Sequence, residues 1–329
     1  VTIPCSNQQI LGAAKHTGDT LLINFIILLA GIAIAGLGGD IFVRGAVGLG
    51  RWARISPAII GVTIAAFATS SPELSVAINS ALSGTPQISL GDCLGSNVVN
   101  IALILAIALL ISNIKTTRES IKRDFPVALF IPLLTLLLFI DNNFSRLDGI
   151  ITISIFLTWL IFTILHIIKH KKQQAQISTL HPGLILLFCT LGLILLITAG
   201  KCIVHGASNI AATFGISSFI IGATIVAVGT SVPELATTII SKLRGHDDIS
   251  LGTIIGSNIF NGSFIIPLAA IINPINQPVT SIIVPLAFST LCLFTCYPTR
   301  SGTITKQQGV ILLGIYIIYI VLVLTGVSK

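Results

Sequence analysis

Charge is scarce in this chain: only 9% of its 329 residues are Asp, Glu, Lys or Arg, against about 25% in an average soluble domain. With 53% hydrophobic residues and a mean hydropathy of +1.00, that scarcity argues against a soluble enzyme or a nucleic-acid-binding protein. Methionine is absent altogether and carries no functional signal. The six cysteines, Cys5, Cys93, Cys189, Cys202, Cys292 and Cys296, show neither CxxC nor zinc-ligand spacing, so they read as small buried apolar residues. The polar stretch Val1 to Thr20 has no basic segment followed by a short apolar core, so no signal peptide is expected. No segment has the composition of a separate soluble domain.

What fills the chain is apolar helix-length runs. A hydrocarbon core of about 30 Å needs about 20 apolar residues as helix, and ten runs approach that length between short polar breaks. They lie near Leu21–Leu49, Ile55–Leu82, Ile88–Ile111, Phe125–Ile140, Leu147–Ile168, Pro182–Phe214, Ile216–Leu243, Ile249–Ile272, Val279–Tyr297 and Gln308–Thr325. The first and sixth exceed a perpendicular span, so tilt or an extension into solvent is expected there.

Eighteen Lys and Arg against eleven Asp and Glu give a net charge of +7, and the excess is unevenly distributed. Arg51, Arg54, Lys115, Arg118, Lys122, Arg123, Lys169, Lys171, Lys172, Lys242, Arg244, Arg300 and Lys306 flank the connections that follow odd-numbered spans. Lys15, Arg146 and Lys329 lie on the other side, which puts both termini outside the cell. The expected organisation is an extracytoplasmic segment 1–20, a first five-helix half 21–168, a cytoplasmic basic loop 169–181 and a second five-helix half 182–329. The fold class is thus an all-α polytopic membrane protein of ten transmembrane helices.

The chain also repeats itself. Gly39–Asn100 aligns with Gly200–Asn261 at a constant offset of 161 without a gap. IIGVTIAAFATSSPEL from Ile59 stands against IIGATIVAVGTSVPEL from Ile220, and ISLGDCLGSNVVN from Ile88 against ISLGTIIGSNIFN from Ile249. Apolar composition reproduces Leu and Ile, not Pro, Glu, Gly, Ser and Asn in register. Five spans per half is an odd number, so the second copy should cross the membrane in the reverse sense. Inverted repeats of that kind place a substrate site near the bilayer midplane, on interrupted helices, and permit alternating access.

Each copy carries one acid in mid-span, Glu73 and Glu234. An intramembrane carboxylate costs on the order of 2.5–3.5 kcal/mol unless paired, protonated or hydrated. Pro72 and Pro233 precede the two acids and should break each helix, freeing the carbonyls four residues back at Ala68 and Gly229. Thr69 and Ser70 with Glu73, and Thr230 and Ser231 with Glu234, have spacings that place them on one face. In the following span Ser96 with Asn100, and Ser257 with Asn261, repeat an i,i+4 arrangement. Carboxylates, hydroxyls, amide oxygens and loosened carbonyls are hard ligands, suited to Ca²⁺, Mg²⁺ or Na⁺. Two carboxylates balance one divalent ion, two monovalent ions or two protons.

The glycines 61, 91, 95, 222, 252 and 256 are expected to let helices approach closely. Asp92, mirrored by Thr253, reads as an acid near a helix N-terminus, and Asp40 with Lys201, at equivalent positions, suggests a charge pair between spans one and six.

ATSSPE at Ala68–Glu73, GTSVPE at Gly229–Glu234, GSNVVN at Gly95–Asn100 and GSNIFN at Gly256–Asn261 resemble the signature of the cation/calcium exchanger superfamily, in its prokaryotic sodium/calcium exchanger branch. The TSxPE form differs from the GNxxE-type motif of proton-coupled calcium exchangers. The resemblance implies cation coordination by Glu73 and Glu234, by the hydroxyls of Thr69, Ser70, Thr230 and Ser231, and by the backbone oxygens of Ala66 and Ala227, with Ser96, Asn100 and Ser257 completing the shell. Sodium/calcium exchangers carry Asp where this chain has Asn261, so two acids rather than three are expected. The resemblance also implies that spans one and six slide past the remaining core.

The resulting expectation is a secondary antiporter, not an enzyme, that exchanges Ca²⁺ for Na⁺ in a plasma (inner) membrane. Its partners are inorganic cations and the lipid bilayer, with no nucleic acid and no obligatory protein partner. No cofactor is expected, only Ca²⁺ and Na⁺ or H⁺ as transported substrates. Ca²⁺/H⁺ antiport is the alternative, and a passive cation channel, whose pore would use the same oxygens, is a more distant one.

Overall fold

A computed structural model describes residues 7–53, 57–169, 181–212 and 222–325. The long apolar runs form helices, as backbone groups in hydrocarbon have no water to bond and must be satisfied within the segment. The helices that position the site are α1 (Asn7–Ala53), α2 (Gly61–Thr69), α3 (Ser71–Leu82), α4 (Pro86–Ile111), α5 (Phe125–Leu138), α6 (Arg146–Lys169), α7 (Pro182–Ala212), α8 (Ala227–Thr230), α9 (Val232–Leu243), α10 (Asp247–Ile272), α11 (Val279–Thr295) and α12 (Lys306–Leu324).

Among the described residues five helices are long and apolar enough to cross a membrane: Pro86–Ile111, Arg146–Leu165, Pro182–Ala199, Asp247–Ile272 and Lys306–Leu324. A sixth arises if α2 and α3, bent by 50° at their junction, count as one span. Of the others, α11 is apolar but only 17 residues long, and α5, with 14 residues, follows directly on a turn that carries Lys122, Arg123 and Asp124. In contrast α1, at 47 residues, is about 70 Å long at 1.5 Å per residue. It starts at Asn7, so part of the stretch expected as an N-terminal segment is helical and continuous with the apolar run. Most of the expected basic loop, including Lys171 and Lys172, lies outside the described residues, as do Cys5 and Arg54.

Burial sorts the helices into layers. The spans α4 and α10 are 78% and 83% buried, whereas those in α6, α7 and α12 are 28%, 22% and 22% buried. The exposed side chains of those outer helices include Ile150, Phe162, Leu186, Leu187, Val310 and Ile317, an apolar surface that water would disfavour and lipid accepts. The central pair can lie close to its neighbours because glycines face backbone. A Cβ at Gly95 would sit 2.5 Å from the carbonyl oxygen of Ala223, and one at Gly256 would sit 2.5 Å from that of Val62. The first glycine anchors α4 against the turn before α8, the second anchors α10 against α2. Outside them α1 and α7 pack together through Gly45, against the backbone of Cys189, and Gly192, against the backbone of Phe42.

Wide π turns interrupt the inner helices at Gly61–Ala65, Val99–Leu105, Gly222–Val226 and Asn261–Ile265. Such turns loosen the hydrogen-bond ladder and are frequent at functional sites. Short strand pairs tie the connections together: β1 (Ile114–Lys115) runs antiparallel to β4 (Thr303–Ile304), and β2 (Asn143–Phe144) antiparallel to β3 (Ile275–Asn276). At the β1–β4 end the Lys242 ammonium, itself buried, donates to the carbonyl of Asn113 at 2.7 Å and to Asp247 at 2.8 Å. Partial burial, with Arg51 and Arg244 nearby, lowers the pKa of His246 at that same end.

The charge pair expected between Asp40 and Lys201 does not form. Asp40 bonds Arg44 at 2.8 Å, one helical turn away, and Arg244 at the end of α9. Two guanidiniums saturate the carboxylate, and Lys201 is exposed with no ion pair among the described residues.

Candidate functional site

The helix breaks set the geometry. Pro72 and Pro233 occupy the first turn of α3 and α9, where a missing N–H costs nothing. The preceding residues, Ser70 and Ser231, leave helical geometry with ψ of 12° and 5°. The breaks therefore fall one residue beyond Thr69 and Thr230, and the helices restart through bonds from Leu74 N–H to Ser70 O and from Leu235 N–H to Ser231 O. Ala68 and Gly229 were expected to supply freed carbonyls. The carbonyls met by side chains are instead those of Ala66, reached by the Thr69 hydroxyl at 3.3 Å, and Ala227, reached by the Ser96 hydroxyl at 3.3 Å. The Ala66 and Ala227 carbonyls also keep their helical bonds from the N–H of Ser70 at 3.0 Å and Ser231 at 3.1 Å, and Ala68 and Gly229 each accept a backbone N–H at the break, so the prolines leave neither carbonyl free.

All twelve residues named from the sequence are at most 1% exposed. Ser70 and Ser257 both donate to Oε1 of Glu234, at 2.9 and 3.1 Å. The two serines come from opposite copies of the repeat, so one carboxylate joins the break between α2 and α3 to α9 and α10. Thr69 lies beside the same carboxylate. Glu73 stands within electrostatic reach of Glu234.

Deeper along the two central helices four asparagines interlock. Asn100 donates to Oδ1 of Asn258 at 2.9 Å and Asn261 to Oδ1 of Asn97 at 3.2 Å, while Asn258 donates to the carbonyl of Asn97 at 2.9 Å. This pairing uses the amide donors of Asn100 and Asn261 and leaves their Oδ1 atoms without a partner. Asn97 and Asn258 escaped the sequence reading, which took Ser and Asn four apart from each GSN block. The third residue of both blocks was the available signal.

Asp92 was also misread. Thr85 and Pro86 open α4, so Asp92 lies six residues inside it, about 9 Å from its start, fully buried and too deep to cap. Its Oδ1 accepts from Thr230 at 2.9 Å and from Ser96 at 3.5 Å, and its charge reaches Glu73 and Glu234.

The site's remaining valence is on oxygen. Both carboxylate oxygens of Glu73, Oε2 of Glu234, Oδ2 of Asp92, Oδ1 of Asn100 and Asn261, and Oγ of Ser231 are buried with no hydrogen-bond partner. Each such atom costs about 1–3 kcal/mol, more when charged. No Lys or Arg answers them: the ion pairs among the described residues lie at Asp40, Asp124 and Asp247. Nor, among the described residues, do three His, Cys, Asp or Glu side chains stand close enough to hold a single metal ion. A cation held by Glu73 or Glu234 would therefore complete its shell with hydroxyl, amide and carbonyl oxygens, which a hard ion tolerates.

Fold and site together define a helical membrane protein with an anionic, oxygen-lined interior. Residues 23–165 and 184–325 match the family described as sodium/calcium exchanger protein. The chain is 36% identical over 263 residues to the putative antiporter CaxA of Alkalimonas amylolytica, covering 77% of this chain and 82% of that one. To the sodium/calcium exchanger MaX1 of Methanosarcina acetivorans it is 26% identical over 344 residues, covering 92% and 98%. A solved structure of the sodium-calcium exchanger NCX_Mj, soaked with 100 mM Na⁺ and 10 mM Sr²⁺, superimposes with a TM-score of 0.76 at 28% identity, over 92% of this chain and 98% of that one. The chain belongs to the sodium/calcium exchanger family.

Proposed function

We propose that the protein is a secondary antiporter that exchanges Ca²⁺ for Na⁺ across a plasma (inner) membrane by alternating access. The observation that carries this reading is the set of buried, unpartnered oxygens on Glu73, Glu234, Asn100, Asn261 and Ser231, with no basic side chain paired to the acids among the described residues. The remaining members of the shell are Thr69, Ser70, Ser96, Thr230 and Ser257, through their hydroxyls, and Ala66 and Ala227, through their carbonyls. Ca²⁺ takes 6–8 oxygens in a flexible shell. Ca²⁺ and Na⁺ compete for the same two glutamates, and that competition makes exchange obligatory. The names of the sodium/calcium exchangers MaX1 and NCX_Mj favour the same pair of ions.

The architecture we infer is ten spans in two oppositely oriented halves, 21–168 and 182–329, joined by a cytoplasmic loop 169–181, with segment 1–20 and both termini outside. Paired features exchange under the repeat: Gly95 against Ala223 with Gly256 against Val62, the β1–β4 pair with β2–β3, and the bond from Asn100 to Asn258 with that from Asn261 to Asn97. A rotation that maps one half onto the other accounts for all three. The short helices α5 and α11 and the broken pair α2–α3 then count as spans whose ends are finished by loops or by the break. Close glycine packing couples α1 and α7, the pair suited to slide past the core.

Purified protein in Na⁺-loaded vesicles should take up Ca²⁺ when external Na⁺ is removed, and Glu73→Gln or Glu234→Gln should abolish uptake. Survival of uptake in either variant would remove that residue from the site. Ca²⁺/H⁺ exchange is the second reading, favoured by the neutral amide at Asn261 in the asparagine cluster. Ca²⁺ uptake driven by a pH gradient with Na⁺ wholly absent would select it, and strict Na⁺ dependence would eliminate it.

A further inference from the structure

The two glutamates are related by the repeat, yet their surroundings are not. Ser70 and Ser257 both turn to Glu234. Their counterparts at the same offset, Ser231 and Ser96, do not turn to Glu73: Ser231 Oγ has no partner, and Ser96 bonds Asp92 and the Ala227 carbonyl. Thr230, the counterpart of Thr69, lies beside Glu73 as Thr69 lies beside Glu234, but gives its shortest bond, 2.9 Å, to Asp92. Asp92 has no acidic counterpart, because position 253 is Thr, whose hydroxyl bonds back to Ile249 within its own helix.

Asp92 therefore accepts from Ser96 and Thr230, while Ser231 bonds neither acid, and Oδ2 of Asp92 is itself buried without a partner at 0% exposure. The groups around it are Ser96 from its own helix, Thr230 and the Ala227 carbonyl from α8, and the acids Glu73 and Glu234. Asp92, Ser96, Thr230 and the Ala227 carbonyl, linked by hydrogen-bond distances, supply one carboxylate, two hydroxyl oxygens and one carbonyl, and among the described residues the three acids do not stand close enough to share one metal ion. A single carboxylate with neutral oxygens balances a monovalent ion. Ca²⁺ binding ordinarily recruits more than one carboxylate.

We propose that Asp92 is a third charged ligand of the transport site, one that binds Na⁺ and not Ca²⁺, and that it sets how many Na⁺ ions the protein takes up in place of each Ca²⁺. This rests on the antiport reading above and deepens it. With Na⁺ at Asp92, the hydroxyls of Ser96 and Thr230 rotate their lone pairs to the ion. Glu73 and Glu234 remain free to divide the other cations between them.

The test is made on the full chain. In reconstituted vesicles, Asp92→Asn should raise the Na⁺ concentration for half-maximal Ca²⁺ exchange about tenfold or more, since loss of one charged ligand is worth upwards of 1.4 kcal/mol. It should also lower the Hill slope for Na⁺, and shift the half-saturation of Ca²⁺/Ca²⁺ exchange in Na⁺-free medium by much less than it shifts the Na⁺ dependence. Equilibrium binding of radiolabelled Na⁺ to the purified protein should fall by one ion per chain. An unchanged Na⁺ dependence, or a matching loss of Ca²⁺/Ca²⁺ exchange, overturns the assignment. If the wild type binds Na⁺ through Asp92 but carries no Na⁺-driven Ca²⁺ flux, the antiport reading fails and the ligand stands. Asp92→Thr, which installs the residue of the mirrored position, is read in the same way. If neither variant folds, the acid is a structural element and the proposal falls.

Discussion

The Glu73 and Glu234 sides of the site come from one duplicated motif and differ in how much of the carboxylate charge the protein answers. Glu234 has two serine donors on one oxygen, whereas Glu73 has no donor on either. A carboxylate already hydrogen-bonded is partly stabilised without an ion; one left bare depends on the ion for its stabilisation. Duplication thus supplies two equivalent acids, and a single unmatched residue, Asp92, makes their surroundings differ. On the proposed function, the Glu234 side would serve as a preorganised wall, and the Glu73–Asp92 side as the part of the site whose energy changes most when cations enter or leave.

That contrast can be broken most forcefully at the acids themselves. Glu73→Gln and Glu234→Gln should each lower vesicle Ca²⁺ flux at least about a hundredfold, the equivalent of about 2.7 kcal/mol. Their effects on the cation-free protein should have opposite signs. Neutralising Glu73 removes an unanswered buried charge and should raise thermal stability by about 1–3 kcal/mol. Neutralising Glu234 leaves Ser70 and Ser257 without a charged acceptor and should lower stability by a similar amount. Melting curves in buffer free of Na⁺ and Ca²⁺ read this directly; shifts of the same sign would erase the distinction.

A control on the comparison comes from places where the halves are alike. Gly95→Ala and Gly256→Ala each push a methyl group against a backbone carbonyl 2.5 Å away. Both should destabilise, by about 1–3 kcal/mol, and to similar extents, with markedly unequal losses arguing against equivalent packing. Among the hydroxyls, Ser70→Ala and Ser257→Ala remove bonds to a charged acceptor and should each cost about 1.5–3 kcal/mol in the cation-free state. Ser231→Ala removes an unpartnered oxygen and should cost less than either, as chemical denaturation can establish. The smallest effect is expected at the partly exposed pair of Arg244 with Asp40. Arg244→Gln should change stability by less than about 1 kcal/mol.

Asp92→Thr sharpens the comparison structurally. With both copies carrying Thr, Ser96 should turn to Glu73 as Ser257 turns to Glu234. A structure of the variant at hydrogen-bond resolution would show a Ser96–Glu73 contact of about 3 Å, or leave Ser96 on the Ala227 carbonyl and refute the donor competition.

Much of this was legible in the sequence because repetition separates chemistry from composition. Glu73, Glu234 and their neighbouring hydroxyl residues stood out as polar groups occurring twice in register within apolar runs, and the glycines at 95 and 256 as small residues recurring with them. The same logic hid Asp92, whose mirror is Thr253, so that asymmetry looked like incidental capping. Helical periodicity did carry a signal, since Asp92 stands four residues before Ser96 and eight before Asn100, on the same stripe of α4. The bond from Arg244 to Asp40 joins residues 204 apart, a proximity fixed by how α1 packs on α9 and not by spacing along the chain. Span number was harder to read than span existence, for the prolines that create the site also shorten the helices carrying it.

The most direct test of the account is the position of a bound ion. In crystals of the full chain equilibrated with Sr²⁺ in place of Ca²⁺ and without Na⁺, anomalous difference maps should show a peak coordinated by carboxylate oxygens of both Glu73 and Glu234. A peak away from both glutamates, or no peak at Sr²⁺ concentrations that saturate transport, would contradict it.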